Sequence, residues 1–243
     1  MSSTVGVLGG MGPEATLDFF AKLVRQAGAR SDHEHVRLLI DNNPGVPDRN
    51  AALSGRGESP GPVLAQMARG LQASGADFLV MVCNTAHAFE SDILNATTIP
   101  FVSLINETRD AVLRGRPGLR RIGLLATSTC LDAGLYQSAF APSGVRTLAL
   151  EGDALERFMA LLYRIKAGDT GSDVRAQMRA LAQELVNLGA EVLVAGCTEV
   201  PLVLDAQDVP VPLVNSTDVL VERTLQYARG HAPFPERSVE PSA

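Results

Sequence analysis

The feature that most constrains this chain is an internal repeat. Residues 75–85 read Gly-Ala-Asp-Phe-Leu-Val-Met-Val-Cys-Asn-Thr, and residues 189–199 read Gly-Ala-Glu-Val-Leu-Val-Ala-Gly-Cys-Thr-Glu. Each copy runs Gly-Ala-acid, then an apolar strand, then a cysteine eight residues after its glycine. A second apolar segment with proline follows each: Ile99-Pro100-Phe101-Val102 and Val209-Pro210-Val211-Pro212. The strands that open the halves also correspond, Val5-Gly6-Val7-Leu8 with Ile122-Gly123-Leu124-Leu125. Gly6 lies 77 residues before Cys83, and Gly123 lies 74 before Cys197. Duplication of one unit implies two similar lobes.

Short β-branched runs alternate with longer helical patterns. Strands are predicted at 5–8, 36–40, 78–82, 122–125 and 192–195. Helices are predicted at 13–27, 62–73, 106–113, 154–166, 174–188 and 217–228. This order indicates an α/β chain with parallel sheets covered on both faces. The expected fold is two pseudo-symmetric lobes, each a parallel sheet flanked by helices, with the active site between them. One lobe comprises residues 1–103 plus 214–243 and carries Cys83; the other comprises 104–213 and carries Cys197. The final helix is expected to rejoin the first lobe. Residues 42–62 show no periodicity and read as a long loop of the kind that serves function. The tail from His231, with three prolines, reads as disordered.

Composition narrows the function. The net charge is −6 and no dense basic stripe occurs, so nucleic-acid binding, which depends on neutralising phosphates, is disfavoured. The four arginines within 114–121 sit beside a predicted strand and read as a solvated turn. Aromatic residues make up 5% and tryptophan is absent, leaving few stacking platforms. Three widely spaced cysteines argue against a disulfide scaffold and fit a reducing cytoplasm. No secretory leader is expected at the N-terminus, and no apolar run approaches the length of a membrane span.

Cys83 and Cys197 each lie just past an apolar strand, at the edge where open α/β sheets bind ligands. A helix expected to start after each would favour a thiolate and lower its pKa. Asn84, Thr85 and Thr198 add an amide and two hydroxyls. Two thiols on opposite sides of one substrate suit stereoinversion: one removes a proton from a carbon, and the other delivers a proton to its far face. Two buried core cysteines are the bland alternative. Cys130 has no counterpart in the first half and reads as a turn or pocket-wall residue. The turn Gly9-Gly10-Met11-Gly12-Pro13-Glu14-Ala15-Thr16 offers backbone N–H groups to an anion. It also fits the loose dinucleotide pattern G-x-G-x-x-A. Asp41, however, lies 29 residues past Gly12 rather than about 20. Cys83 and His87 are four apart, but no Cys/His cluster completes a zinc set.

At residues 9–16, Cys83-Asn84-Thr85 and Gly196-Cys197-Thr198-Glu199, the sequence resembles the aspartate/glutamate racemase family, and more narrowly its aspartate racemase branch. The resemblance runs from Val5 to about Tyr227. It includes Asn42-Asn43-Pro44 with Pro47-Asp48-Arg49, Leu125-Ala126-Thr127 with Tyr136, and Lys166. It implies racemisation of a small acidic amino acid, aspartate before glutamate, without pyridoxal phosphate or any other cofactor, by a homodimer. It implies Cys83 and Cys197 as the catalytic pair, and Arg49 and Lys166 as ligands of the side-chain carboxylate. Met11, Asn84, Thr85, Thr127, Thr198 and Glu199 would hold the α-carboxylate and amino group. Where members often carry a second threonine three residues after Thr127, this chain has Cys130. The competing readings are a single-thiol enzyme on the same scaffold (hydantoin racemase, decarboxylase or cis–trans isomerase) and a binding protein for small anions or nucleotides.

Overall fold

The computed structural model describes residues 2–235. The chain forms two compact units, Met1–Glu107 with Leu220–Ala243, and Thr108–Val219. In the first unit β1 (Val5–Gly9) leads to α1 (Pro13–Gln26), β2 (Leu38–Asn42), α2 (Arg49–Leu53), α3 (Gly61–Ala73) and β3 (Phe78–Met81). A 3-10 turn over Thr85–Phe89, then α4 (Glu90–Ala96) and β4 (Phe101–Val102), complete its sheet. The chain leaves this unit within α5 (Leu104–Gly115). The second unit holds β5 (Arg121–Leu125), α6 (Ser128–Asp132), α7 (Leu135–Phe140) and β6 (Arg146–Ala149). It continues with α8 (Gly152–Lys166), α9 (Ser172–Asn187), β7 (Val192–Ala195) and β8 (Leu213–Asn215), and the chain returns through α10 (Ser216–Ala228).

Every strand pairing is parallel, and the two sheets share one topology: β2-β1-β3-β4 and β6-β5-β7-β8. The central strands β1, β3 and β7 are buried along their whole length, and β5 beyond Arg121, which explains their unbroken apolar runs. The repeat extends to packing. Gly6 pairs with Leu79, and a Cβ at Gly6 would lie 2.6 Å from Leu79 Cδ2, 2.9 Å from Ala76 Cβ and 3.2 Å from Leu71 Cβ. Gly123 pairs with Leu193, and a Cβ there would meet Leu193 Cδ2, Ala190 Cβ and Leu185 Cβ at 2.6, 2.9 and 3.0 Å. Glycine at these two positions lets α3 and α9 approach their sheets closely.

The helices follow from their apolar stripes. In α8, Phe158, Leu161, Leu162 and Ile165 are buried at helical spacing. Pro13 opens α1, where a missing N–H is harmless.

Several expectations shift. The second strand starts at Leu38 rather than Val36, because Val36 is buried ahead of the ladder that begins at the Val5–Leu38 pair. Residues 42–62 are not one loop. Asp48 caps α2, its side chain accepting the Ala51 N–H at 2.7 Å. The edge strands β4, of two residues, and β6 and β8, only partly buried, carry no long apolar run, and the short α4, α6 and α7 are too brief for a periodic pattern to announce.

The units divide four residues later on the way out and six later on the return than 103/104 and 213/214. Glu107 is buried in the first unit, where Arg223 Nε at 2.6 Å and the Tyr227 hydroxyl both donate to its carboxylate. On the return, β8 pairs with β7, and Ser216 Oγ donates to Ala195 O at 2.8 Å, so residues up to 219 stay with the second unit. The end of α10 then binds the first unit: Ser3 N–H donates to Ala228 O, and Tyr227 packs edge-on against Phe78. The start of the tail is ordered against this surface. The Phe234 ring stacks on Tyr227 at 5.6 Å and meets Phe78 at 5.1 Å. The remainder, 236–243, lies outside the described residues.

Candidate active site

Cys83 and Cys197 occupy the same place in the two units. Each is the second residue after the strand next to the centre of its sheet, β3 or β7. Both are 6% exposed, and each is part of its unit's apolar core. None of the three cysteines forms a disulfide.

The expectation that a helix starts after each cysteine fails. What starts after each is a 3-10 turn rather than an α-helix, Thr85–Phe89, which runs on into α4, and Val200–Leu202. At Cys197 the environment works against the thiolate. Burial, the Glu199 carboxylate charge and its hydrogen bond with the thiol push the thiol pKa well up, opposed by the nearby Lys166 ammonium and the Glu199 backbone N–H. Cys197 Sγ–H donates to Glu199 Oε2 at 2.9 Å, and Thr198 Oγ1 lies 3.4 Å from the same oxygen. Glu199 is itself buried, so its carboxylate faces the thiol with little water between them. In the repeat, Glu199 stands where the first half has Thr85. The two thiols therefore sit in unlike surroundings despite their shared backbone position.

The first unit gathers Met11 and Arg49. Arg49 is the first residue of α2, and its guanidinium donates to Met11 O and Val46 O, each at 3.3 Å, and to Pro47 O at 3.2 Å. Met11, Asn84 and Thr85 are buried. The glycine turn is less open to an anion than its sequence suggests, because Gly10 N–H donates to Thr16 Oγ1 at 2.9 Å. Gly10, at φ +90°, also passes so close to Asn43 that a Cβ would lie 2.4 Å from its carbonyl carbon. Asp41 lies within β2, one residue before its end.

In the second unit Thr127 caps α6, its Oγ1 accepting the Cys130 N–H at 3.2 Å. Cys130 is fully buried. Lys166, in the last turn of α8, is exposed, lies 5.7 Å from the Tyr163 ring and acts electrostatically on Cys197. The Tyr136 ring sits under the cysteine loop: a Cβ at Gly196 would lie 3.1 Å from its Cε2. A cavity beside β6, lined by Thr147, Leu148, Glu151, Glu184 and Leu188 among others, holds none of the expected site residues.

The Asp/Glu/Hydantoin racemase family profile matches residues 8–224, nearly the whole chain. The chain belongs to the Asp/Glu/Hydantoin racemase family. It is accordingly an isomerase of the amino-acid racemase type, built on the family's two-lobe α/β fold. Among relatives, the broad specificity amino-acid racemase of Bacillus subtilis (strain 168) is 23% identical over 225 residues, covering 91% of this chain and 96% of that one. A glutamate racemase of Cupriavidus pinatubonensis is 28% identical, over 75% of this chain and 64% of its own length. Among solved structures, the Picrophilus torridus aspartate racemase superposes with a TM-score of 0.85 at 26% identity, over 93% of this chain and 94% of that one. Among the described residues no helix is long and apolar enough to cross a membrane, and no group of three or more His, Cys, Asp or Glu could hold a metal ion.

One residue that the sequence reading set aside stands out beside Cys83. His87 is buried, and both its ring nitrogens are engaged by backbone groups. Only its four-residue spacing from Cys83 signalled it, and that spacing suggested a zinc ligand.

Proposed function

We propose that this racemase inverts the α-carbon of an acidic amino acid, aspartate in preference to glutamate, in the cytoplasm, with Cys83 and Cys197 as its two acid–base groups and no cofactor. The observation that carries this reading is the shared position of the two thiols, each two residues past the equivalent strand of its unit. A duplicated backbone that repeats a cysteine and varies its neighbours is what inversion at a single carbon calls for. The likeness to the Picrophilus torridus aspartate racemase supports the choice of aspartate.

In one direction Cys83 Sγ, as thiolate, takes the α-hydrogen as a proton. The S–H bond forms as the Cα–H bond breaks, and the electron pair passes onto the substrate carboxylate. Cys197 then gives its proton to the opposite face and is left as thiolate. In the other direction the roles exchange. The Glu199 carboxylate disfavours the Cys197 thiolate and so keeps this thiol protonated before the first turnover. The α-proton is weakly acidic, so fixed donors must stabilise the carbanion. Asn84, Thr85, Thr127 and Thr198 are the donors proposed for this, with Arg49 and Lys166 on the side-chain carboxylate and Met11 on the pocket wall. A homodimer is the proposed assembly.

The test is a panel of L- and D-amino acids resolved by chiral chromatography. Aspartate is expected to racemise fastest, in both directions. A panel in which only neutral or basic amino acids racemise would remove the acidic assignment.

A further inference from the structure

His87 lies in the 3-10 turn that follows Cys83, with its ring fully inside the first unit. Its Nδ1 is 2.7 Å from the Cys83 carbonyl oxygen, and its Nε2 is 3.0 Å from the Leu104 nitrogen. The tautomer follows from these partners. Leu104 N–H can only donate, so Nε2 must accept; Nδ1 therefore carries the proton and donates to Cys83 O. Leu104 is the first residue of α5, so its N–H is one of the helix's unpaired amino-terminal groups. The ring thus ties the turn that holds Cys83 to the start of α5. Burial lowers the imidazole pKa to about 4, against the smaller upward pull of the Cys83 and Asn84 carbonyls. The ring is neutral at working pH. With both nitrogens occupied it can neither bind a metal nor carry the substrate proton.

We propose that His87 is a positioning residue for Cys83, its Nδ1–H holding the Cys83 carbonyl and so the direction in which the sulfur leaves the turn. The inference rests on Cys83 being one of the two acid–base groups. Cys83 sits in irregular backbone past the end of β3, with the His87 bond fixing its peptide from the carbonyl side. A shift of about 1 Å in a reacting group costs on the order of 100-fold in rate.

Two substitutions separate the ring's two bonds. In His87→Asn the side-chain amide nitrogen can take the place of Nδ1 and keep the bond to Cys83 O. In His87→Gln the amide oxygen can take the place of Nε2, keeping Leu104 N–H paired and losing Cys83. Expected is a fall in kcat of about 10- to 100-fold in His87→Gln with KM within about twofold, and recovery to within a few-fold in His87→Asn. Iodoacetamide alkylation of Cys83, followed against pH in a Cys130→Ser/Cys197→Ser background, should change rate in His87→Gln but not in His87→Asn.

Full kcat in His87→Gln, or losses in both variants that merely track their unfolding midpoints, would overturn the inference. Failure of the two-cysteine reading looks different: Cys83→Ser would then racemise at the rate of the unaltered enzyme. The alkylation comparison still decides in that case whether His87 orients the sulfur.

Discussion

The contact between Cys197 and Glu199 sets the protonation of one member of the proposed acid–base pair. A buried carboxylate accepting the S–H bond raises the energy of the thiolate, which is why the thiol pKa is pushed up. Removing that charge has a definite sign: in Glu199→Gln, Cys197 should ionise at lower pH. Its alkylation by iodoacetamide, measured with Cys83 and Cys130 replaced by serine, should then speed up at least about threefold near neutral pH. Turnover should fall nonetheless, because the thiol that must deliver the proton is then less fully protonated. An unchanged alkylation profile would mean that Glu199 does not govern the thiol.

His87 gives a second signed prediction. Its pKa is about 4 in the fold against an ordinary value of 6.5, so the folded state disfavours the protonated ring. Above pH 6.5 this carries no penalty. Between pH 6.5 and 4 the unfolded chain binds the extra proton, and stability falls as pH drops, by about 3 kcal/mol at the lower end. Glu90, whose pKa is raised by burial, works in the opposite sense. Comparison with His87→Asn isolates the histidine: urea unfolding should show the slope in the unaltered protein and its loss in the variant. Parallel slopes would contradict this account of His87.

At the scale of elements, the close approach of α3 to β1 and of α9 to β5 depends on Gly6 and Gly123. Gly123→Ala brings a methyl group within 2.6 Å of Leu193 and 3.0 Å of Leu185 Cβ, with little room to yield. Overpacking of this kind costs about 1–3 kcal/mol, a fall in Tm of roughly 2–10 °C. Gly70→Ala in α3 meets nothing within 4 Å, and should leave Tm unchanged or raise it slightly. Scanning calorimetry on the two variants compares them directly. Equal Tm values would show that the glycines are not what sets the helix-to-sheet distance.

The central strands were legible because burial on both faces writes itself as unbroken apolar runs, as in β3 and β7, and the long helices because one-faced burial writes itself as a helical stripe, as in α8. The edge strands β4, β6 and β8, of two to four residues, and the helices of five to seven residues leave no such trace. The cap at Asp48 was readable in principle but lay in a stretch without periodicity. The glycine turn misled for a different reason. Its N–H groups count as available until Thr16 Oγ1 is found on Gly10, and no spacing rule reports that bond.

At the scale of the whole molecule, the repeat was the most informative signal. It announced two units of one topology and the matched places of the two cysteines, because duplicated strands keep their register through Gly6–Leu79 and Gly123–Leu193. The exact points where the chain changes unit were not readable. They are set by partners distant in sequence, with Glu107 bound to Arg223 and Tyr227, and Ser216 to Ala195. The same distance hid the chemistry at each thiol. Glu199 stands two residues from Cys197, yet its direction toward the sulfur depends on the fold, and His87 finds its second partner seventeen residues on, at Leu104.

The central claim is that two thiols exchange one carbon's hydrogen with water from both faces. The direct measurement is proton NMR of L-aspartate in D₂O with the unaltered enzyme, with Cys83→Ser and with Cys197→Ser. The account predicts loss of the α-proton signal together with the appearance of α-deuterated D-aspartate for the unaltered enzyme, and a fall of at least about 1000-fold in that conversion for each variant. Racemisation at an undiminished rate by either variant, or no exchange by active unaltered protein, would contradict it.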